Sequence, residues 1–229
     1  MSEIVEINSE AGTANGYLAI PQGGKGPGIL LLHAWWGLTP FFKQLADRLA
    51  SEGYVVLATD LYGGRTAGTI EGATELMEQL DSDEGYQHVT GGLEFLLTHP
   101  ALQGESVGAV AFSMGGAYAT GLSALRPEVK ALVLFYGGFD YYGGLEQEDF
   151  AKNTSADFIG HLGENDEYES LEVARELEST LRAAGREADF FVYPGADHWF
   201  FEDNRPEYDP ECSQLAWERT VEFLKNKLS

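Results

Sequence analysis

The sequence predicts an α/β protein built on a mostly parallel sheet with helices on both faces. Two observations carry that prediction: strand-like and helix-like segments alternate along the chain, and several strand segments are apolar at every position. Strand patterns fall at 4–8, 16–20, 28–33, 54–59, 106–112, 131–136, 157–162 and 188–193. Runs such as Gly28-Ile29-Leu30-Leu31-Leu32 and Ala131-Leu132-Val133-Leu134-Phe135-Tyr136 do not alternate with polar residues, which suits strands covered on both faces. Helical periodicity falls at 40–52, 70–80, 84–98, 114–126, 167–184 and 208–228. The first two strands precede any helix, so a hairpin or sheet edge is expected at the start.

At 229 residues the chain is long enough for one such domain with a large core, and residues 1–229 are expected to form a single unit. No internal repeat or low-complexity linker interrupts it. The first residues, Met-Ser-Glu-Ile-Val-Glu-Ile, lack a signal-peptide pattern, and no apolar run approaches the ~20 residues of a membrane span. The lone cysteine, Cys212, has no partner in the chain for a disulfide. A cytoplasmic protein is the expectation.

Charge excludes more. Thirty-seven acidic residues against 14 basic ones give a formal net charge of −23. A nucleic acid or an anionic membrane would be repelled, so neither is expected as a partner. The acids cluster at 71–84, 146–149, 164–176 and 202–211, all expected at the surface. Two readings of this acidity stand side by side: adaptation to high salt, and an ordinary acidic surface.

Chemistry concentrates just after strand ends, where ligands bind in open α/β sheets. Ala111-Phe112-Ser113-Met114-Gly115-Gly116 joins an apolar strand to a helical run, which puts Ser113 at a sharp strand-to-helix turn. A serine there presents its hydroxyl beyond the sheet, close to helix-terminal amides. His198 lies in the Pro- and Gly-rich loop after the final strand, where a general base can reach such a nucleophile. Of the other histidines, His88 and His99 fall on solvated segments, His161 within an apolar strand, and His33 at a strand end, where structural work near the site is open to it.

An acid to orient the base is offered by Asp166, just after strand 157–162. Its competing role is to cap the helix at 167–184, and Glu164 and Asp140 are rival acids. The order Ser113, Asp166, His198 is that of α/β-hydrolases. An oxyanion hole would then use the amides of Met114 and of Trp35, in the loop His33–Gly37. Trp35, Trp36, Phe41, Tyr136, Trp199 and Phe200 are together candidates for an aromatic pocket wall, though any one of them taken singly is better explained as core.

Taken together, His33–Gly37, Asp60-Leu61-Tyr62-Gly63-Gly64, Ser113 with its glycines, Gly163–Asp166 and Asp197-His198 resemble the dienelactone hydrolase family, over about residues 15–227. The resemblance implies a compact α/β-hydrolase fold without a large lid, cleaving esters or lactones with no cofactor and no metal. It assigns Ser113 as nucleophile, His198 as base, Asp166 as its orienter, and Trp35 and Met114 as oxyanion donors. It also implies that Tyr136 lines the substrate site. Three departures accompany it. The nucleophile is a serine where the best-known members have cysteine. Ala34 stands where they carry a glutamate. Their carboxylate-binding arginines match Gly64 and Glu202, with Arg65 one place and Arg205 three places away.

The expected activity is therefore a serine esterase or lactonase acting on a small neutral ester or lactone. Trp36, Tyr136, Trp199, Arg65 and Arg205 are its candidate substrate-binding residues, and the chain is expected to work as a monomer or weak dimer. An acyl transferase, a dienelactone hydrolase proper and a non-catalytic binding protein on the same scaffold are the alternatives.

Overall fold

The computed structural model describes residues 1–228. Eight strands are present: β1 (Ser2–Ser9), β2 (Gly12–Ala19), β3 (Gly26–Leu32), β4 (Val55–Asp60), β5 (Leu102–Phe112), β6 (Val129–Phe135), β7 (Asp157–Gly163) and β8 (Ala188–Tyr193). They form one sheet in the order β1-β2-β4-β3-β5-β6-β7-β8. β1 pairs antiparallel with β2, and β2 with β4, which makes the predicted hairpin edge. The β3/β4, β6/β7 and β7/β8 pairs are parallel. The all-apolar runs have the expected cause: Ile29–Leu32, Val55–Ala58 and Ala131–Leu134 are fully buried.

The helices are α1 (Pro40–Ser51), α2 (Ile70–Gln79), α3 (Ser82–Thr98), α4 (Met114–Leu125), α5 (Gln147–Asn153), α6 (Leu171–Ala183) and α7 (Pro210–Leu228). Among the described residues there is no separate lid domain. Two compact units divide the chain within β5, Met1–Ala109 and Val110–Ser229. In the first, α1 packs on β4 and α3 on β1; in the second, α4 and α7 pack on β6 and α6 on β8. No helix among the described residues is long and apolar enough to cross a membrane.

Three local departures from the sequence reading have physical reasons. α5 was not anticipated, because only Phe150 and Ala151 of its seven residues are buried and no periodicity shows at that length. α6 begins at Leu171 and not at 167, because Ser170 is its cap and accepts from the Val173 amide. Asp166 therefore does not cap this helix. And the acidic run at 202–211 is not all surface: Glu202 is fully buried.

Candidate active site

Ser113 sits between the last residue of β5 and the first of α4, with φ 47° and ψ −118°. A side chain-bearing residue at positive φ is costly, on the order of 1–2 kcal/mol, and marks a turn held by its surroundings. The restraints are visible. The Ser113 amide donates to Phe135 O at 2.9 Å, and the Gly116 amide donates to Ser113 O at 2.8 Å. A Cβ on Gly137 would stand 2.5 Å from Ser113 Cα, and one on Gly116 would stand 2.6 Å from Gly137 O. Glycines on both sides thus let the end of β6 press against the turn.

Asp166 and His198 lie on the loops that follow β7 and β8. Those loops are stitched together by main-chain bonds: Glu164 N to Tyr193 O at 3.0 Å and Asn165 N to Ala196 O at 2.9 Å. Side chains add to this. Asn165 Nδ2 donates to Gly195 O at 3.1 Å, and the Gly195 amide donates to Glu164 Oε2 at 2.9 Å. Gly163 permits the approach, since a Cβ there would come within 2.7 Å of Asp197 O. This explains why residues 32 positions apart meet.

The result is a continuous chain of bonds. Ser113 Oγ is 3.0 Å from His198 Nε2, and His198 Nδ1 is 2.8 Å from each oxygen of Asp166. The carboxylate at Nδ1 fixes the proton there, which leaves Nε2 to accept from the serine hydroxyl. Asp166 Oδ1 also accepts from the amides of Tyr168 and Glu169, at 2.9 and 3.0 Å. The Asp166 side chain is fully buried and that of His198 4% exposed. Of the rival acids, Glu164 is occupied by the Gly195 amide, and Asp140 is exposed.

Rings enclose the imidazole. Tyr136, Tyr168 and Trp199 stand 4.9, 4.8 and 5.1 Å from it, centroid to centroid. Tyr168 was not foreseen, since in the sequence it is one residue of an acidic stretch. Tyr136, just after β6, also carries a side chain at positive φ, 39°. It donates its hydroxyl proton to Glu202 Oε1 at 3.0 Å. Burial raises the Glu202 carboxyl to about 8 despite the phenol bond and Arg205. It also holds the Tyr136 phenol well above its ordinary value, with Glu202 adding to the effect. Glu169 is likewise raised to about 8, by burial first and then by Asp140 and Asp166.

Arg205, expected at the substrate, has its side chain 9% exposed, with Nε 3.9 Å from Glu202 Oε2. Phe200 is core, packed on Tyr136 and Tyr193.

The remaining candidates belong to the first unit. Trp35 lies in the loop after β3 with its ring 5.3 Å from that of Trp36, which is buried. His33 holds this loop: the Leu61 amide donates to its Nε2 at 3.2 Å, so Nδ1 carries the proton and donates to Ala34 O at 2.6 Å. Burial lowers the His33 pKa and keeps it neutral. Gly37 turns the chain at φ 86°, where a Cβ would stand 2.5 Å from Arg65 O. Arg65 itself bonds Tyr62 O at 3.1 Å and Gln79 Oε1 at 2.6 Å. No cluster of metal-ligating side chains occurs among the described residues.

Known proteins agree with this architecture. The model of the dienelactone hydrolase family matches residues 14–228. A protein of Aquifex aeolicus named "Putative carboxymethylenebutenolidase" is 31% identical over 236 residues, spanning all of both chains. A Bradyrhizobium protein named "Probable 2-oxo-3-(5-oxofuran-2-ylidene)propanoate lactonase" is 26% identical, over 96% of this chain and 92% of its own. The crystal structure titled "Putative Dienelactone Hydrolase" from Klebsiella pneumoniae superposes with a TM-score of 0.85 at 24% identity, covering 98% of each chain. The chain, a hydrolase by these relatives, belongs to the dienelactone hydrolase family.

Proposed function

We propose that the protein is a serine hydrolase that cleaves small neutral carboxylic esters or lactones through an acyl-enzyme on Ser113. The observation that carries this reading is the unbroken hydrogen-bond chain from Ser113 Oγ through His198 to the buried Asp166 carboxylate. His198 Nε2 takes the hydroxyl proton as Oγ adds to the carbonyl carbon, and Asp166 stabilises the imidazolium that forms. Collapse of the tetrahedral intermediate returns that proton to the departing alkoxide. Water then adds to the acyl-enzyme with His198 again as base, and the acid leaves with Ser113 restored.

The developing oxyanion is assigned to the amide of Met114, the first residue of α4, where unpaired amides and the helix dipole favour negative charge. The Trp35 amide is carried as second donor on its place in the chain, the loop after β3. Trp36, in the same loop, and Arg65, in the loop after β4, are carried as substrate contacts on their places in the chain. In the second unit, Tyr136 and Trp199 supply an apolar wall beside His198. Arg205 is a weaker candidate for binding an anionic substrate, because its charge already faces Glu202. A net charge of −23 also disfavours anionic substrates.

Ser113→Ala is expected to abolish hydrolysis of p-nitrophenyl acetate, a loss of at least about 10³-fold, with the fold retained by circular dichroism. A fluorophosphonate probe should label the wild type at Ser113 and leave the variant unlabelled. Activity in the variant equal to wild type, in a contaminant-free preparation, would overturn the reading.

A further inference from the structure

Two hydrogen bonds fix how far the His198 ring turns in its own plane, but they do not fix its tilt. That falls to the rings against its faces. Tyr168 is 53% exposed and Tyr136 fully buried, so Tyr136 is the firmer wall. Tyr136 in turn is held in three ways. Its backbone sits at φ 39°, with its amide bonded to His161 O at 2.8 Å. Phe112 and Phe200 meet its ring edge-on at 5.9 and 5.7 Å. Its hydroxyl meets Glu202 Oε1. Edge contacts leave rotation about the ring axis soft, whereas a buried hydrogen bond at the far end is directional. A fully buried carboxyl is also expensive, and a core position of this kind favours an apolar residue unless the polar group does work. Here the phenol bond is what Glu202 provides.

We infer that Glu202 is a positioning residue of the catalytic histidine: it holds the Tyr136 phenol, and the Tyr136 ring holds the His198 imidazole in line with Ser113. This deepens the serine hydrolase reading and rests on it. The raised pKa of Glu202 is consistent with the role, because the neutral acid still offers Oε1 to the phenol. The chain of influence predicts a specific split. Loss of either end of the Tyr136–Glu202 bond should slow both acylation and deacylation, in each of which His198 is the base, without changing the affinity for a small ester, because neither partner supplies a proton or an oxyanion donor.

The test uses p-nitrophenyl acetate turnover, with rates normalised to sites titrated by a fluorophosphonate. Tyr136→Phe keeps the ring and removes the donor; Glu202→Leu removes the acceptor; Glu202→Gln restores an acceptor oxygen without a charge. Tyr136→Phe and Glu202→Leu are each expected to lower kcat about 5–30-fold with KM within about twofold, in the range that small misplacements of catalytic groups cost. The double variant should lose no more than either single one, and Glu202→Gln should recover most of the loss. Additive losses, a Gln variant as slow as the Leu variant, or a Phe variant at wild-type kcat would each overturn the inference. Should Glu202→Leu not fold, Tyr136→Phe against Glu202→Gln decides alone: a slow Phe variant with a fast Gln variant supports it, and any other pattern overturns it. Absence of fluorophosphonate labelling in the wild type would instead strike the serine hydrolase reading itself.

Discussion

Among the described residues, Ser113 and Tyr136 are the two with side chains at positive φ, and both lie at the hydrogen-bonded chain that ends on Asp166. Strain of this kind persists only where neighbours leave no alternative, and here the neighbours are glycines. Gly137 makes the sharpest demand. A Cβ there would stand 2.5 Å from Ser113 Cα and 2.7 Å from Ser113 C, both backbone atoms, with no flexible side chain to yield. Gly137→Ala is therefore expected to destabilise the fold by about 1–3 kcal/mol, the usual cost of overpacking, read from urea denaturation. It should also cut fluorophosphonate labelling at least tenfold, since the turn must shift to admit the methyl. Labelling at the wild-type rate would show that the turn tolerates more than its geometry suggests. At this scale the sequence was legible where a residue's position follows from its place after a strand, as for Ser113, Asp166 and His198, which the fold brings into one hydrogen-bonded chain. It was silent where the role comes from contact through space. Tyr168 against His198 and Tyr136 on Glu202 leave no spacing signature, and the same holds for the burial of a glutamate inside an acidic run.

The eight predicted strand segments overlap the eight strands; β3, β4 and β7 are buried at nearly every residue and carry a signal at each, whereas β1 is mostly exposed and shows only a short pattern. Their ends were less visible: β5 begins at Leu102, four residues early, where its side chains are exposed and apolar patterning fails. The short helix α5 escaped for a similar reason. Between elements, His161 shows how a polar group can be placed in a core. It lies on β7 and bonds the Tyr193 hydroxyl of β8 at 2.8 Å and the Thr220 hydroxyl of α7 at 3.0 Å. Burial, with Arg219 adding, lowers its pKa to about 3, so it is neutral in the fold. Unfolded, it titrates near 6.5. Below that pH the unfolded chain binds a proton that the folded chain refuses, so stability falls as pH drops from about 6.5 toward 3. His161→Phe keeps a ring against Phe135 and loses both bonds, which should cost about 1–3 kcal/mol at pH 7. The same variant escapes the acid penalty. Its deficit in urea denaturation should shrink between pH 7 and pH 4.5. A deficit that is constant across that range would mean that His161 is protonated within the fold.

Over the whole molecule, the unusual quantity is charge. The basic side chains are largely engaged already: Arg175 and Arg182 with Glu178, Arg182 also with Asp189, and Lys227 with Asp157 and Glu187. With 14 basic and 37 acidic residues, one-to-one pairing would still leave 23 carboxylates in excess. Two opposing salt effects follow. Added salt weakens the few ion pairs, each worth about 0–1 kcal/mol at a surface, and it also screens the repulsion among the unpaired acids. Repulsion involves many more pairs and acts at distances near the Debye length, about 10 Å at 0.1 M salt and about 3 Å at 1 M, so its relief should dominate. The thermal midpoint is therefore expected to rise by several degrees between about 20 mM and 1 M sodium chloride at pH 7. Isosmotic sucrose separates screening from general solute exclusion, which would raise the midpoint without any charge. At pH 4.5, where many exposed carboxyls have gained protons, the same salt step should give a much smaller rise. A midpoint that falls with salt at pH 7 would mean that attractive pairs outweigh the repulsion, and the acidic surface would then be no burden that salt relieves. A rise of equal size at both pH values would point to solute exclusion. Only a rise that is much larger at neutral pH than at pH 4.5 fits a fold that carries its excess negative charge at a cost.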